Sequence, residues 1–155
     1  KCGQSLEAVG AITGDIGFYE FARSTKLGHW TSVTYAAGNF TASAGTWTVD
    51  SGDQVVFKYM LVGKTMFVNF RIGSTDVSNA LVSLRIAIPG GFTCAVGTRF
   101  LYQATDAVGA PVAGIGLIAA SGTYLELYAT VGETGFAITA GDNTEVKGEC
   151  FFEVA

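Results

Sequence analysis

Charge, histidine and cysteine are all scarce in this chain of 155 residues, and each shortage closes off a class of function. Charged side chains are 14% of the whole, with nine Lys and Arg against thirteen Asp and Glu. The balance is mildly acidic and the basic residues are scattered. Nothing offers the clustered Lys and Arg that nucleic acid requires, so no nucleic-acid partner is expected. Histidine occurs once, at His29, and any Ser-His-Asp or Cys-His arrangement would have to use it. It stands beside Trp30 with no nucleophile motif nearby, and it reads as a strand-edge residue. The three cysteines, Cys2, Cys94 and Cys150, are far apart and odd in number. They fit neither a C-x-x-C metal pair nor a dense disulfide framework. They read as free thiols of a reducing compartment, with a bridge from the terminal Cys2 to another copy as the alternative. No metal and no cofactor is expected.

Long apolar runs are missing as well. None approaches the roughly 18 consecutive apolar residues of a spanning helix, because Lys58, Lys64, Arg71 and Arg85 interrupt them. No membrane insertion is expected. Leu6 to Ile12 is too short, and too broken by Glu7, to be the apolar core of a signal peptide. The chain begins at Lys1 and not at Met, so sequence upstream of it is expected. Yet 49% of the residues are hydrophobic, a high share beside so little charge. With a membrane set aside, the surplus points to a subunit interface.

What the chain does have is alternation with a period of two. In Thr65 to Ile72, the residues Met66, Val68, Phe70 and Ile72 share one face. Val82, Leu84, Ile86 and Ile88 do so in Leu81 to Ile88. Leu125 and Leu127 do so in Thr123 to Thr130, and Val146, Cys150, Phe152 and Val154 in Glu145 to Val154. Further strands are expected at Thr46 to Asp50, Gln54 to Val62, Arg99 to Thr105 and Val112 to Ala120. Ser51-Gly52-Asp53, Gly63-Lys64 and Ser121-Gly122 read as turns between strands. Pro89-Gly90-Gly91 stops the strand that ends at Ile88, since proline cannot donate to a ladder. No segment carries helical spacing beyond two turns. The expectation is an all-β fold, an antiparallel jelly-roll sandwich over residues 29–155, preceded by a lead-in or neck over residues 1–28 with a short extended piece at Ile16 to Ala22. At this length the chain holds one domain with a real core.

The remaining candidates for chemistry are weak. Asp50 with Asp53, and Asp142 with Glu145, are pairs that glycoside hydrolysis would use, but both fall in apparent turns. The same residues supply no alternating oxygen ligands for calcium. Gly114-Ile115-Gly116 sits inside a strand-like run with no helix start after it, so it reads as close backbone packing and not as a phosphate loop. Asn39-Phe40-Thr41 is a glycosylation sequon that matters only in a secretory pathway. The chain therefore reads as a structural or binding module and not as an enzyme. Four aromatics draw attention because they fall on the polar faces of their strands: Phe67, Tyr124, Tyr128 and Phe151. Either a second buried layer covers them, or they form a subunit interface, where aromatic residues are enriched.

Several stretches carry a resemblance. They are Trp30-Thr31 to Asn39-Phe40-Thr41, Trp47-Thr48-Val49, Ser51-Gly52-Asp53 and Gly63-Lys64-Thr65-Met66. Val68-Asn69-Phe70, Leu84-Arg85-Ile86-Ala87-Ile88-Pro89 and Asn143-Thr144-Glu145-Val146 continue it, and Phe152-Glu153-Val154 closes it. Together they resemble the C-terminal head domain of bacteriophage tail-fibre and related environmental phage appendage proteins. The likeness covers most of residues 18–155, including the approach through Gly17-Phe18-Tyr19-Glu20 and Arg23-Ser24-Thr25. It implies a trimeric jelly roll akin to the tumour-necrosis-factor-like fold, located in the virion and assembled in the host cytoplasm. Its partners would be two further copies of itself, other virion proteins and a host cell-surface receptor, with glycans among the candidates. The implied function is a structural and receptor-binding head. The alternative is a capsid decoration or head-fibre protein that stabilises the shell. The resemblance carries over no functional residue. Phe100 to Gly114 departs most from the pattern, which suits loops that change with the receptor.

Overall fold

The computed structural model describes residues 28–107 and 109–155. The expected lead-in, including Cys2 and the extended piece at Ile16 to Ala22, lies outside the described residues apart from Gly28. Ten strands and two single 3-10 turns make up the regular structure of the described part: β1 (Thr31–Ser32), β2 (Phe40–Ala42), β3 (Trp47–Thr48), β4 (Gln54–Val62), β5 (Thr65–Val77), β6 (Leu84–Ala87), β7 (Thr98–Thr105), β8 (Val112–Ile118), β9 (Tyr124–Tyr128) and β10 (Thr139–Glu153). The fold is all-β and antiparallel, as the alternation predicts. Met66, Val68, Phe70 and Ile72 on β5 are buried, as are Leu125 and Leu127 on β9 and Val146, Cys150 and Phe152 on β10.

The strands form one continuous sheet in the order β1-β4-β5-β10-β7-β8-β9-β6-β2, with β3 pairing to β5. Two loop residues, Gly63 and Lys64, join β4 to β5, and Val62 stands opposite Thr65. Gly63 has φ +60°, a conformation that a tight hairpin demands and glycine supplies without strain. β10 pairs with β5 along most of its length but with β7 only at Glu145–Lys147. There the strands diverge and the sheet folds over into a second layer. Its two ends meet: Phe40 of β2 packs 6.0 Å from Phe57 of β4 and edge-on to Trp47 of β3 at 5.5 Å. The result is a sandwich, with β1, β4, β5 and β10 in one layer and β7, β8, β9, β6 and β2 in the other.

Where β5 bulges, the core holds a cluster of paired polar groups. Trp47 Nε1 donates to Thr75 Oγ1 at 2.8 Å, and that hydroxyl donates on to the Thr144 carbonyl at 3.0 Å. Val77 N–H donates to Thr139 Oγ1 at 2.8 Å, and the Thr139 and Thr144 hydroxyls share a bond of 3.0 Å. These bonds pin the far end of β5 to the start of β10, where the ladder between the two strands is irregular. Several boundaries differ from the sequence reading: β3, β8 and β9 are shorter than expected, β7 starts one residue earlier, and three differences are larger. The strand expected from Leu81 forms only from Leu84, because Leu81 takes φ +57° and is exposed. β5 runs past Ile72 to Val77, and β10 starts at Thr139, because the threonine network replaces the lost ladder bonds.

Gly114 and Gly116 pack closely against backbone and rings, as expected. They face inward on β8, and Tyr102 and Phe100 lie opposite them on β7. A Cβ on Gly116 would lie 2.1 Å from the Phe100 ring, and one on Gly114 would lie 2.7 Å from both the Tyr102 ring and the Tyr128 carbonyl. The aromatic rings occupy the space that side chains on β8 would otherwise fill. Gly114→Ala should therefore destabilise the fold by about 1–3 kcal/mol through overpacking. Gly52→Ala, at a site with nothing within 4 Å, should change stability by no more than about 0.5 kcal/mol. Urea unfolding of the two variants checks the contrast.

Candidate functional site

The four aromatics singled out in the sequence all point away from the core, and the fold divides them between its two layers. Phe67 on β5 and Phe151 on β10 are register partners. Their rings lie 5.9 Å apart at 34°. Met60 of β4 stands opposite Phe67 on its other side, so Met60, Phe67 and Phe151 form one apolar row across three strands. Trp30, just before β1, borders a groove of about 350 Å³ with Phe67, Phe151 and the acid Glu149, floored by Val68 and Cys150. Phe151 is 66% exposed. No second layer of the described chain covers it.

Polar residues border this row. Lys58 Nζ sits 4.9 Å over the Trp30 ring, a cation–π contact. Asn69 Nδ2 donates to Glu149 Oε1. One row further, Arg71 Nε pairs with Glu145 at 2.8 Å. Glu149 and Glu153, two residues either side of Phe151, are both exposed on the same face.

Tyr124 and Tyr128 belong to the other layer, on β9. Tyr128 is the end of a second apolar row: Leu101 of β7 pairs with Ile115 of β8, which pairs with Tyr128. Leu101 is 66% exposed at the middle of its strand. Between the tyrosines, Glu126 accepts from Arg85 Nη2 at 3.1 Å and from Ser83 Oγ at 2.7 Å, while the Arg85 guanidinium lies 4.5 Å over the Tyr124 ring. Partial burial raises the Tyr128 hydroxyl above its usual range, and the carboxylates of Glu126 and Glu133 push it the same way. Sequence reasoning did not single out Leu101, Ile115 or Met60. The signal was present in Gly114-Ile115-Gly116: if the glycines face the core, Ile115 must face out.

The residues considered for chemistry stay apart or serve the backbone. His29 is exposed just ahead of β1. Asp53 Oδ2 accepts from the Asp50 N–H at 2.7 Å, which makes that pair a turn device. Asp142 and Glu145 do not share a turn. Asp142 takes φ +60° and gives its N–H to Asp76 at 2.9 Å, whereas Glu145 sits in the β10 ladder facing Arg71. Among the described residues, no group of three His, Cys, Asp or Glu is placed to hold a metal ion, and no helix is long and apolar enough to cross a membrane. Cys94 and Cys150 are both buried free thiols. Comparison with family models, curated proteins and solved structures finds no match to the chain.

Burial pushes the Cys150 thiol up to about 12 from an ordinary value of 9.0, with nearby Cys94 adding to the shift. The folded state therefore holds this proton more tightly than the unfolded state. The contribution is fully present below pH 9.0 and is lost as pH rises from there towards about 12. Stability should hold steady from pH 7 to about 8.5 and fall above pH 9, and Cys150→Val should flatten part of that decline. Urea midpoints across the alkaline range measure both.

Proposed function

We propose that this chain is the virion structural and host-receptor-binding head of a bacteriophage tail fibre, working as a homotrimer without cofactor. The observation that carries the assembly reading is the pair of unlike apolar rows, Met60–Phe67–Phe151 on one layer and Leu101–Ile115–Tyr128 on the other. A two-fold dimer uses a single self-complementary patch and would leave one row bare. A head-to-tail assembly uses two different patches on every copy, and it is a ring where the rotation between copies closes. Burying a large apolar side chain is worth roughly 1.5–3 kcal/mol, and rows repeated around a ring offset the cost of association. The number three, the virion setting and the host receptor come from the resemblance to phage appendage heads.

In this reading the sandwich is a rigid mount. The connection between β7 and β8 falls within Phe100 to Gly114, the stretch that departs most from the family pattern, and its loop offers a changeable contact surface. Three copies multiply weak receptor contacts by avidity. Other virion proteins would hold the opposite end.

Sedimentation of the unaltered chain at micromolar concentration should give a species of three chain masses. Phe67→Ser combined with Tyr124→Ser should release monomers or aggregates, and Lys147→Ser, on the exposed polar part of β10, should leave the trimer intact. A monomer throughout would reject the assembly. Purified trimer should bind host cells and block particle adsorption. Binding to isolated capsids without binding to cells would replace the receptor reading with shell decoration.

A further inference from the structure

The chain enters the sandwich at one end. Gly28 N–H donates to the Leu61 carbonyl at 3.3 Å, beside the β4–β5 hairpin, and Val154 N–H donates to Lys64 of that hairpin at 2.8 Å. From there β5 runs thirteen residues, roughly 40 Å at the usual strand rise. At its far end lie the β5–β6 loop, the β7–β8 connection and the long β9–β10 loop. Backbone bonds brace the first of these against the third. Leu81 N–H donates to the Phe136 carbonyl at 2.7 Å, and Phe136 N–H to the Val82 carbonyl at 2.8 Å. Ala137 N–H donates to Asp106 Oδ1 at 3.0 Å, which ties in the β7–β8 connection.

Leu81, in the β5–β6 loop, is out of place on two counts. Its backbone takes φ +57°, where a Cβ crowds the neighbouring carbonyl. Its side chain is 77% exposed, so the leucine contributes nothing to the core in return. Val131 and Ile138, in the β9–β10 loop, are also exposed. The charges around these apolar side chains are of one sign. The loops at this end, with the β3–β4 turn, carry Asp50, Asp53, Asp76, Asp106, Glu133 and Asp142 and no Lys or Arg among the described residues. Of these acids only Glu133 is in an ion pair, with Arg99 of β7.

We propose that this loop end, opposite the entry of the chain, is the receptor-contact surface, with Leu81 as its apolar anchor, and that its partner is a protein presenting an apolar pocket bordered by Lys and Arg. The inference rests on the receptor-binding reading above and names the surface and the chemistry of what it meets. An apolar side chain inserted in a pocket is the usual anchor of a protein contact. A phosphate-rich glycan or an anionic lipid surface would meet like charge here, whereas basic residues around the pocket would meet opposite charge. The end beside Gly28 is the one through which the rest of the fibre would hold the head, which leaves the loop end free.

The test is binding of the purified full chain to host cells, intact or shaved with protease, with a circular dichroism melt of each variant. Leu81→Gly removes the anchor and suits the backbone, because glycine adopts positive φ without strain. It should melt at or above the temperature of the unaltered chain and bind intact cells about tenfold more weakly. Asp142→Asn removes one charge and keeps a residue that tolerates φ +60°. It should weaken binding about twofold to threefold and make it less sensitive to salt. Glu153→Gln, exposed at the opposite end of the sandwich, should leave binding unchanged. Shaved cells should lose binding, and cells stripped of anionic glycan should keep it. If Leu81→Gly and Asp142→Asn bind as the unaltered chain does, the loop end is not the contact surface, and the receptor reading stands on another face. If shaved cells bind as well as intact ones, the partner is not a protein and the chemistry proposed is wrong. If the unaltered chain binds no cells, the receptor reading has failed and this surface falls with it. Should Leu81→Gly melt lower, Asp142→Asn and its salt dependence decide the matter.

Discussion

β5 and β10 pair antiparallel from Thr65 opposite Glu153 to Val77 opposite Thr139, and that long ladder sets the position of nearly everything else. Its alternation puts Met66, Val68, Phe70 and Phe152 into the core. The same alternation obliges Phe67 and Phe151 to point outward, because successive side chains on a strand take opposite faces. β4 joins β5 through a two-residue hairpin, so its register follows and Met60 falls into line with Phe67. β7 joins at three positions of β10, and the divergence beyond them starts the second layer. At the irregular end of the ladder, the threonine hydroxyls and Trp47 Nε1 take over the bonds that a regular sheet would have made. A buried polar group left without a partner there would cost about 1–3 kcal/mol, so this cluster both closes the ladder and fixes where it stops.

The second layer reaches the same outcome by a different route. Its core face is filled from β7, whose Phe100 and Tyr102 rings lie over Gly116 and Gly114 of β8. Tyr102 also donates to the Tyr128 carbonyl at 2.6 Å, tying β7 to β9 across the glycine strand. With glycine inside, the large residues of β8 are outside. Ile115 therefore joins Leu101 and Tyr128 on the outer face. Each layer thus carries an apolar row as a direct consequence of how its core is packed, and the proposed assembly is the use of both rows at once.

Much of this was legible in the sequence. Period-two alternation located β5, β9 and β10, and Gly63-Lys64 and Ser121-Gly122 marked real turns. Phe67 and Phe151 could be seen to face outward because Met66, Val68, Phe152 and Val154 had to face in. What could not be read was which outward residues share a layer, because that depends on strand order. β10 lies between β5 and β7, far from it in the chain, and only that order separates Phe67 and Phe151 from Tyr124 and Tyr128. β1 and β2 were missed because strands of two and three residues carry too little alternation to register. Leu101 and Ile115 were missed because an exposed leucine is ordinary until its neighbours across the sheet are known. The resemblance to phage heads suggested a trimer without supplying any of these positions.

The account turns on both rows being covered in the assembled protein. The most direct measurement is sedimentation of the unaltered chain beside two variants, Phe151→Arg and Leu101→Arg, each of which spoils one row and leaves the other intact. The unaltered chain should run as a trimer and each variant as a monomer, since an assembly that covers both rows is broken by a charge placed in either. A monomeric unaltered chain, or a variant that remains a trimer, would contradict it.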